Sequence, residues 1–166
     1  MHRTRHIACL LIGGALALPL AACGGGDDDG AAKSQLSNEG DAKGAETTVR
    51  EYLRALVQKD GAKACGRLTP DYQRSIVEKN EEFARKHDSG TCAELIDAIT
   101  KTAGPATFEG QALNTATVDK IPLKVRVRTG GEEQNATVTG AQGLQRYELV
   151  TSKGKWLIAE VTNAGG

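Results

Sequence analysis

The spacing of apolar side chains divides the chain into a helical half followed by a half built from strands. From Glu46 onward a single stripe recurs at helical spacing, formed by Val49, Tyr52, Leu53, Leu56 and Val57. Beyond Pro105, the segment from Leu123 to Arg128 alternates strictly between aliphatic and basic residues, as a half-buried strand does. This order predicts an α+β domain, with helices packed on one face of an antiparallel sheet.

Capping signals locate the first two helices. Thr48 and Glu51 have the spacing of a capping box, in which the hydroxyl and the carboxylate each accept a backbone N–H. The first helix is therefore predicted to begin near Thr48. Asp60 interrupts it and is predicted to cap a short second helix that contains Cys65.

Two further helices are predicted before the strands. Thr69 followed by Pro70 is typical of a cap and first helical residue, and this third helix is predicted to run toward His87. Thr91 and Glu94 repeat the capping-box spacing and open a fourth helix, which Gly104-Pro105 stops.

Turn residues divide the second half into strands. Gly130-Gly131 ends the alternating strand, and a short strand is predicted over residues 136–139. Residues 146–151 and 156–161 are predicted to form a hairpin around residues 152–155. Residues 108–118 form a weaker strand candidate.

The first 22 residues have the pattern of an export signal. Arg3 and Arg5 precede an apolar run over residues 7–18, which is too short to cross a bilayer. The string Leu20-Ala21-Ala22-Cys23 then resembles the lipobox of bacterial lipoproteins, whose cysteine carries a diacylglycerol thioether. The resemblance implies a signal peptide over residues 1–22 and a lipidated Cys23, carrying palmitate-type acyl chains on the extracytoplasmic side of the cell membrane. The alternative is a cleaved secretory signal with an incidental cysteine.

Residues 23–45 are predicted to form a flexible tether. They are rich in Gly, Asp and Ala, and Leu36 is their single large aliphatic residue, so they bury too little apolar surface to fold. A calcium site at Asp27, Asp28 and Asp29 is the alternative, although no spaced carboxylates follow to complete the coordination shell.

Two cysteines remain for the folded part, Cys65 and Cys92. An even pair in an exported domain is predicted to form a disulfide. Zinc binding together with His87 is the alternative, but these three residues are one ligand short of a structural zinc site.

The charge balance limits the class of partner. The chain has 21 Lys and Arg against 21 Asp and Glu, and a nucleic-acid partner is not expected without a basic surplus. A local exception is the basic side of the alternating strand, formed by Lys124, Arg126 and Arg128. These residues either bind an anionic envelope polymer or keep an exposed strand edge from pairing with other chains.

The order of elements also resembles a known group. The segment TTVREYLRALVQKDGAKACGRLTPDYQ, with strands ending in RYELVTSKGKWLIAEV, is similar to the NTF2-like superfamily. It is most similar to small extracytoplasmic lipoproteins with DUF4878-type or SnoaL-like domains. The resemblance implies that residues 46–162 form a cone, with three to four N-terminal helices packed on a curved antiparallel sheet. The departure from the pattern is Ile121-Pro122, a proline at the start of a strand.

The resemblance implies a cavity inside the cone. Its candidate lining residues are Val49, Tyr52, Leu53, Leu56, Ile76, Tyr147 and Trp156. The residues Leu95, Ile99 and Val150 are also predicted to face inward. The two tyrosines Tyr52 and Tyr147 are the only polar groups in this set.

No catalytic residue, metal or cofactor is predicted. His87 lies in a charged loop. Asp71 and Glu109 are candidate cavity acids, although Asp71 is at a helix start, where its carboxylate complements the dipole. The predicted function is a lipid-anchored, non-enzymatic module that binds a small apolar ligand or an envelope protein. An NTF2-like isomerase, dehydratase or cyclase acting on a small hydrophobic substrate is the alternative, as is an accessory to a larger membrane complex. A carboxylate or histidine buried in the cone would favour the enzyme.

Overall fold

The computed structural model describes residues 38–130 and 133–163. The predictions for the signal peptide, for Cys23, for Asp27, Asp28 and Asp29 and for the turn at Gly131 lie outside these residues.

Helices precede strands, and the predicted α+β class is confirmed. The helical half contains α1 Asn38–Val57, α2 Gly61–Cys65, α3 Pro70–Lys79, α4 Glu81–Lys86 and α5 Cys92–Thr102. A small connecting region follows, with β1 Thr107–Phe108, β2 Gln111–Ala112 and the single turn α6 Thr115–Val118. The main sheet contains β3 Leu123–Gly130, β4 Glu133–Gly140, β5 Gln145–Ser152 and β6 Lys155–Asn163.

The main sheet is an antiparallel meander in the order β3-β4-β5-β6. The predicted alternating strand and closing hairpin are confirmed, and the short strand over residues 136–139 is the centre of the longer β4. Lys153 and Gly154 turn the hairpin with φ values of 50° and 73°. Two successive positive φ angles are those of the tight turn that matches strand twist.

The core lies between the helices and one face of the sheet. Its largest fully buried side chains come from both halves of the chain: Val49, Leu53, Leu68, Leu95, Val118, Val138, Tyr147, Leu149 and Ile158. Helical and sheet residues share one hydrophobic cluster. Each half therefore depends on the other to bury its apolar face.

Helix α1 begins ten residues earlier than predicted, at Asn38 and not near Thr48. Thr48 lies inside the helix, and its hydroxyl donates to the Gly44 carbonyl at 3.0 Å instead of capping the N-terminus. Ala45 is fully buried, and Gly44 packs so closely on the Trp156 indole that a Cβ would lie 2.8 Å from Cδ1. Tertiary packing therefore extends the helix through residues 38–45, which composition assigned to the tether.

The predicted third helix is two helices. It breaks at Asn80, where φ is −118° and the side-chain amide donates to the Ile76 carbonyl at 2.8 Å. This local hydrogen bond competes with the continuation of the helix. The weaker strand candidate over residues 108–118 contains the strand pair β1 and β2 and then the helical turn α6, which Asn114 caps.

Arg50 fastens the connecting region to α1. Its guanidinium donates to the Val118 carbonyl at 2.7 Å and to the Ile121 carbonyl at 2.8 Å, and it pairs with Glu46. Strand β3 begins at Leu123, just after Pro122, so the proline lies outside the sheet ladder. The proline therefore does not interrupt the hydrogen-bonded ladder of the sheet.

The predicted disulfide is confirmed. Cys65, the last residue of α2, is bonded to Cys92, the first of α5, with their Cα atoms 6.1 Å apart. Both sulfurs are used in this bond, so the zinc alternative with His87 is wrong. The bond holds α2 against α5.

One backbone bridge joins the helical half to the far edge of the sheet. Thr69 N–H donates to the Ile158 carbonyl at 2.9 Å, and Ile158 N–H donates to the Arg67 carbonyl at 2.8 Å. Leu68 and Ile158 thereby form a parallel bridge between the segment that follows α2 and strand β6.

Candidate functional site

The residues predicted to line a cavity lie in the packed core. Val49, Leu53 and Tyr147 are fully buried. The remaining four are half-buried and pack against the same cluster: Tyr52, Leu56, Ile76 and Trp156. The cavities that open on the described part of the molecule include four of about 260 to 430 Å³, and none of the seven residues lines any of these four.

The prediction that the side chain faces the core is correct for Leu95 and wrong for Val150. Leu95 is fully buried, whereas Ile99 is half-buried on α5. On β5, Tyr147 and Leu149 face the core, and Val150 has the opposite orientation because successive strand residues alternate. Leu149 and Val150 are adjacent and both apolar, so hydrophobic alternation does not predict which of them faces the core. Their orientation follows from that of Tyr147, two residues before Leu149.

All three tyrosines of the chain contribute to the hydrophobic cluster, Tyr147 as a buried member and Tyr52 and Tyr72 packed against it. The rings of Tyr52 and Tyr147 meet edge to face with centroids 6.3 Å apart, and Phe108 stacks on Tyr147 at 6.4 Å. Burial raises the pKa of Tyr52 and of Tyr147 well above the usual value, and neighbouring tyrosines add to both shifts. Burial also raises the pKa of Tyr72, with a smaller contribution from Glu160. These phenols are neutral and packed.

The raised tyrosine pKa values predict a loss of stability at alkaline pH. The unfolded chain releases its phenol protons near pH 10, where the folded protein still holds them, so each pH unit above that point favours unfolding. We expect the free energy of unfolding to fall above pH 10 by about 1.4 kcal/mol per pH unit for each of Tyr52 and Tyr147. Urea denaturation between pH 8.5 and 11.5, with phenolate absorbance as a second signal, measures this slope.

The double variant Tyr52→Phe/Tyr147→Phe is the control. It lacks both phenols and is expected to show a shallower fall over the same range. An equal slope in the two proteins would assign the alkaline loss to other groups.

Of the three ionisable residues considered for catalysis, Asp71 and His87 contact side chains that are close to them in sequence. Asp71 is exposed and pairs with Arg74. The His87 ring stacks on Phe83 with centroids 4.2 Å apart, at the end of α4. Among the residues whose side chains are described, the buried polar ones are Thr48, Ser89 and Thr100. The hydroxyl groups of Thr48, Ser89 and Thr100 do not titrate between pH 5 and 8.

Glu109 holds the β4–β5 turn in place. It lies between β1 and β2, and its carboxylate accepts the N–H groups of Gln142 and Leu144, both at 3.1 Å. Gly140 allows this approach, because a Cβ there would lie 2.2 Å from the carboxylate. Sequence reasoning considered Glu109 as a cavity acid and missed this contact, which spans more than thirty residues and has no local signal.

The largest of the four described cavities is a groove of about 430 Å³ on the outer face of the sheet. Its walls come from three strands and one turn, and its main side chains are Lys124, Arg126, Arg128, Thr137, Thr139 and Arg146. The backbone of residues 140–143 closes one end. The prediction that β3 turns its basic residues to solvent is confirmed, since all three are exposed. We call this cavity the basic groove.

Only one cation of the basic groove has an ion pair among the described residues. Arg146 pairs with Glu148, whose carboxylate also accepts a hydrogen bond from the Thr137 hydroxyl at 2.9 Å. The ion pairs of the described side chains include none to Lys124, Arg126 or Arg128. Their positive charge is therefore directed to solvent.

The other three cavities have fewer cationic side chains than the basic groove. One of about 260 Å³ lies beside the β1–β2 pair, where Phe108, Leu113 and Ile121 form its apolar side. One of about 360 Å³ lies near His87, and one of about 420 Å³ lies beside Cys92.

Within residues 38–130 and 133–163, no three or more His, Cys, Asp or Glu side chains gather where they would hold a metal ion. Of the helices in these same residues, none has the length and apolar character to cross a membrane.

Comparison with known proteins gives no family assignment. No protein-family model matches the chain, and no curated protein and no solved structure is significantly similar to it.

Proposed function

We propose that this chain is an extracytoplasmic lipoprotein, anchored through Cys23, whose NTF2-like domain binds an envelope macromolecule without catalysing a reaction. One observation carries the proposal. The residues between helices and sheet form one hydrophobic cluster, whereas the largest of the four cavities given above lies on the outer face of the sheet. Binding by the outer face needs no opening of the core.

This arrangement favours a surface partner over a small apolar ligand held inside the cone. A ligand of drug size fills a pocket of about 300 to 1,000 Å³. To make such a space, Leu53 or Tyr147 would have to leave the core, at the cost of their buried apolar contacts. The basic groove is already open, so a surface partner needs no such rearrangement.

The enzymatic alternative has weaker support. Proton transfer requires an acid or base within hydrogen-bond reach of a substrate, in a site that excludes water. Glu109 is occupied by two backbone N–H groups, and Asp71 is exposed. A binding role for the basic groove requires no such acid or base.

Anchoring is tested at Cys23. We expect the intact mass of membrane-derived protein to show removal of residues 1–22 and the addition of acyl chains, because the lipobox places cleavage before Cys23. In cells fed radiolabelled palmitate, Cys23→Ala should lose the label entirely. Cys9→Ala, a cysteine inside the apolar run, should keep it. Label retained by Cys23→Ala would overturn the anchor.

The binding surface is tested by photocrosslinking in native envelopes. A photoreactive residue at Thr139 lies in the basic groove, and one at Thr102 lies on the exposed end of α5 as the matched control. We expect a high-mass adduct from position 139 and none from position 102. Equal adducts from both positions, or none from either, would refute binding through the outer face.

A further inference from the structure

The edge strand of the sheet carries a regular row of positive charge. Lys124, Arg126 and Arg128 occupy alternate positions of β3 and are exposed. Alternate strand residues point to one face and lie about 7 Å apart. The three cations therefore repeat at even intervals along one wall of the basic groove.

A fourth cation faces this row from the opposite wall. Thr139 pairs with Lys124 on one side and with Arg146 on the other. The strands of Lys124 and Arg146 are thus two steps apart, about 10 Å. An anion seated over Thr139 would have a cation on each side and the Thr139 hydroxyl beneath it.

The acidic side chains that are described on this face lie on β5 and β6. Glu148 lies next to Arg146 and offsets its charge. Glu160 is opposite Glu148 on β6, the far edge of the sheet from β3. Among the described cations that line the basic groove, those without an acidic partner are therefore those of β3.

Protection of the sheet edge explains only part of this arrangement. Strand β3 is an edge, and charged side chains there discourage pairing with other chains. Arg146, however, lies on β5, which has a neighbour on each side and no edge to protect. The groove between the two cationic walls also has no role in edge protection.

We propose that the basic groove binds a linear anionic polymer of the cell envelope, whose phosphate or carboxylate groups repeat along the chain. The inference rests on the proposed function and names the class of macromolecule that its outer face recognises. A repeating row of cations complements repeating anions. A groove of about 430 Å³ admits a single chain, whereas a flat lipid surface would contact its rims.

The test measures polymer affinity with a charge-matched control. The full chain is placed in phosphatidylcholine nanodiscs, and binding of labelled polygalacturonate and of inorganic polyphosphate is measured, with neutral dextran as the blank. The test variant is Lys124→Gln/Arg126→Gln/Arg128→Gln. The control Lys79→Gln/Arg85→Gln/Lys86→Gln removes the same charge from exposed positions of α3 and α4.

We expect binding to at least one polyanion that weakens with added salt. The β3 variant should bind roughly tenfold or more weakly, and the helix variant should bind like the native chain. Which polymer binds distinguishes phosphate from carboxylate recognition. No polyanion binding by the native chain, or equal loss in both variants, would overturn the inference.

Two further outcomes would also overturn it. Loss of polymer binding in nanodiscs that contain phosphatidylglycerol would mean that anionic lipid occupies the groove. Unchanged polymer affinity with self-association of the β3 variant would assign the row to edge protection. Photocrosslinking at Thr139 separates the two proposals, because an adduct that persists in the β3 variant supports the outer face as binding surface and rejects polyanion recognition.

Discussion

Replacing Gly61 by alanine is expected to destabilise the protein by about 3 kcal/mol or more. A Cβ at position 61 would lie 2.1 Å from the Ala93 carbonyl oxygen and 2.7 Å from Asp97 Oδ1. The first of these atoms belongs to the backbone of α5, so relief requires the two helices to separate. Separation also breaks the hydrogen bond from Gly61 N–H to Asp97 Oδ1, which is 2.6 Å long.

The disulfide restricts that separation. Cys65 lies on the same short helix as Gly61, and Cys92 is next to Ala93, so α2 cannot shift away from α5 as a rigid body. Urea denaturation under oxidising conditions measures the loss of stability. Gly90→Ala is the matched control, because the nearest atom to its Cβ is 4.0 Å away, and it is expected to change stability by less than about 0.5 kcal/mol. Native stability in Gly61→Ala would contradict the tight approach of the two helices.

Removal of the disulfide by Cys65→Ala/Cys92→Ala is expected to cost about 3.5 kcal/mol. The two cysteines are 27 residues apart, and opening this loop returns conformational entropy to the unfolded chain. Both cysteines are also buried in the core, so their sulfur atoms leave small voids. The free energy of unfolding, compared with that of the native chain in oxidising buffer, gives the effect.

Reduction provides the internal control for this variant. Dithiothreitol should lower the stability of the native chain to a similar degree and leave the alanine variant unchanged. A native chain equally stable with and without reductant would show that the bond contributes nothing to the folded state.

Local hydrogen bonding explains which parts of the fold were predictable. Asp60, Thr69 and Thr91 each accept a backbone N–H three residues ahead, as their sequence context predicts. The alternation in β3 and the two-residue turn at Lys153 and Gly154 are equally local. A short stretch of sequence contains all the atoms that determine these features.

Features set by distant contacts escaped prediction. Helix α1 continues upstream of Thr48, where Gly44 packs on Trp156, more than a hundred residues away in sequence. Thr48 has the spacing of a capping box, yet its hydroxyl bonds inside the helix because that packing has already continued the helix past it. Glu109 likewise has its role from the turn it holds, which no neighbouring residue signals.

The candidate site was predicted in part. The basic side of β3 follows from alternation alone, so Lys124, Arg126 and Arg128 were predictable from the sequence. Arg146 joins them only through the register of β4 with β5, which the sequence pattern does not give. Whether the space between the helices and the sheet is hollow depends on how fully side chains such as Leu53 and Tyr147 occupy it, and periodicity carries no information on volume.

The bridge between Leu68 and Ile158 has a kinetic consequence. The meander forms through contacts between strands adjacent in sequence, whereas this bridge closes a loop of about ninety residues and costs far more chain entropy to form. Docking of the helical half on β6 is therefore expected late in folding, after the hairpins. Weakening the bridge should then speed unfolding while leaving the folding rate nearly unchanged, and so shorten the lifetime of the folded chain.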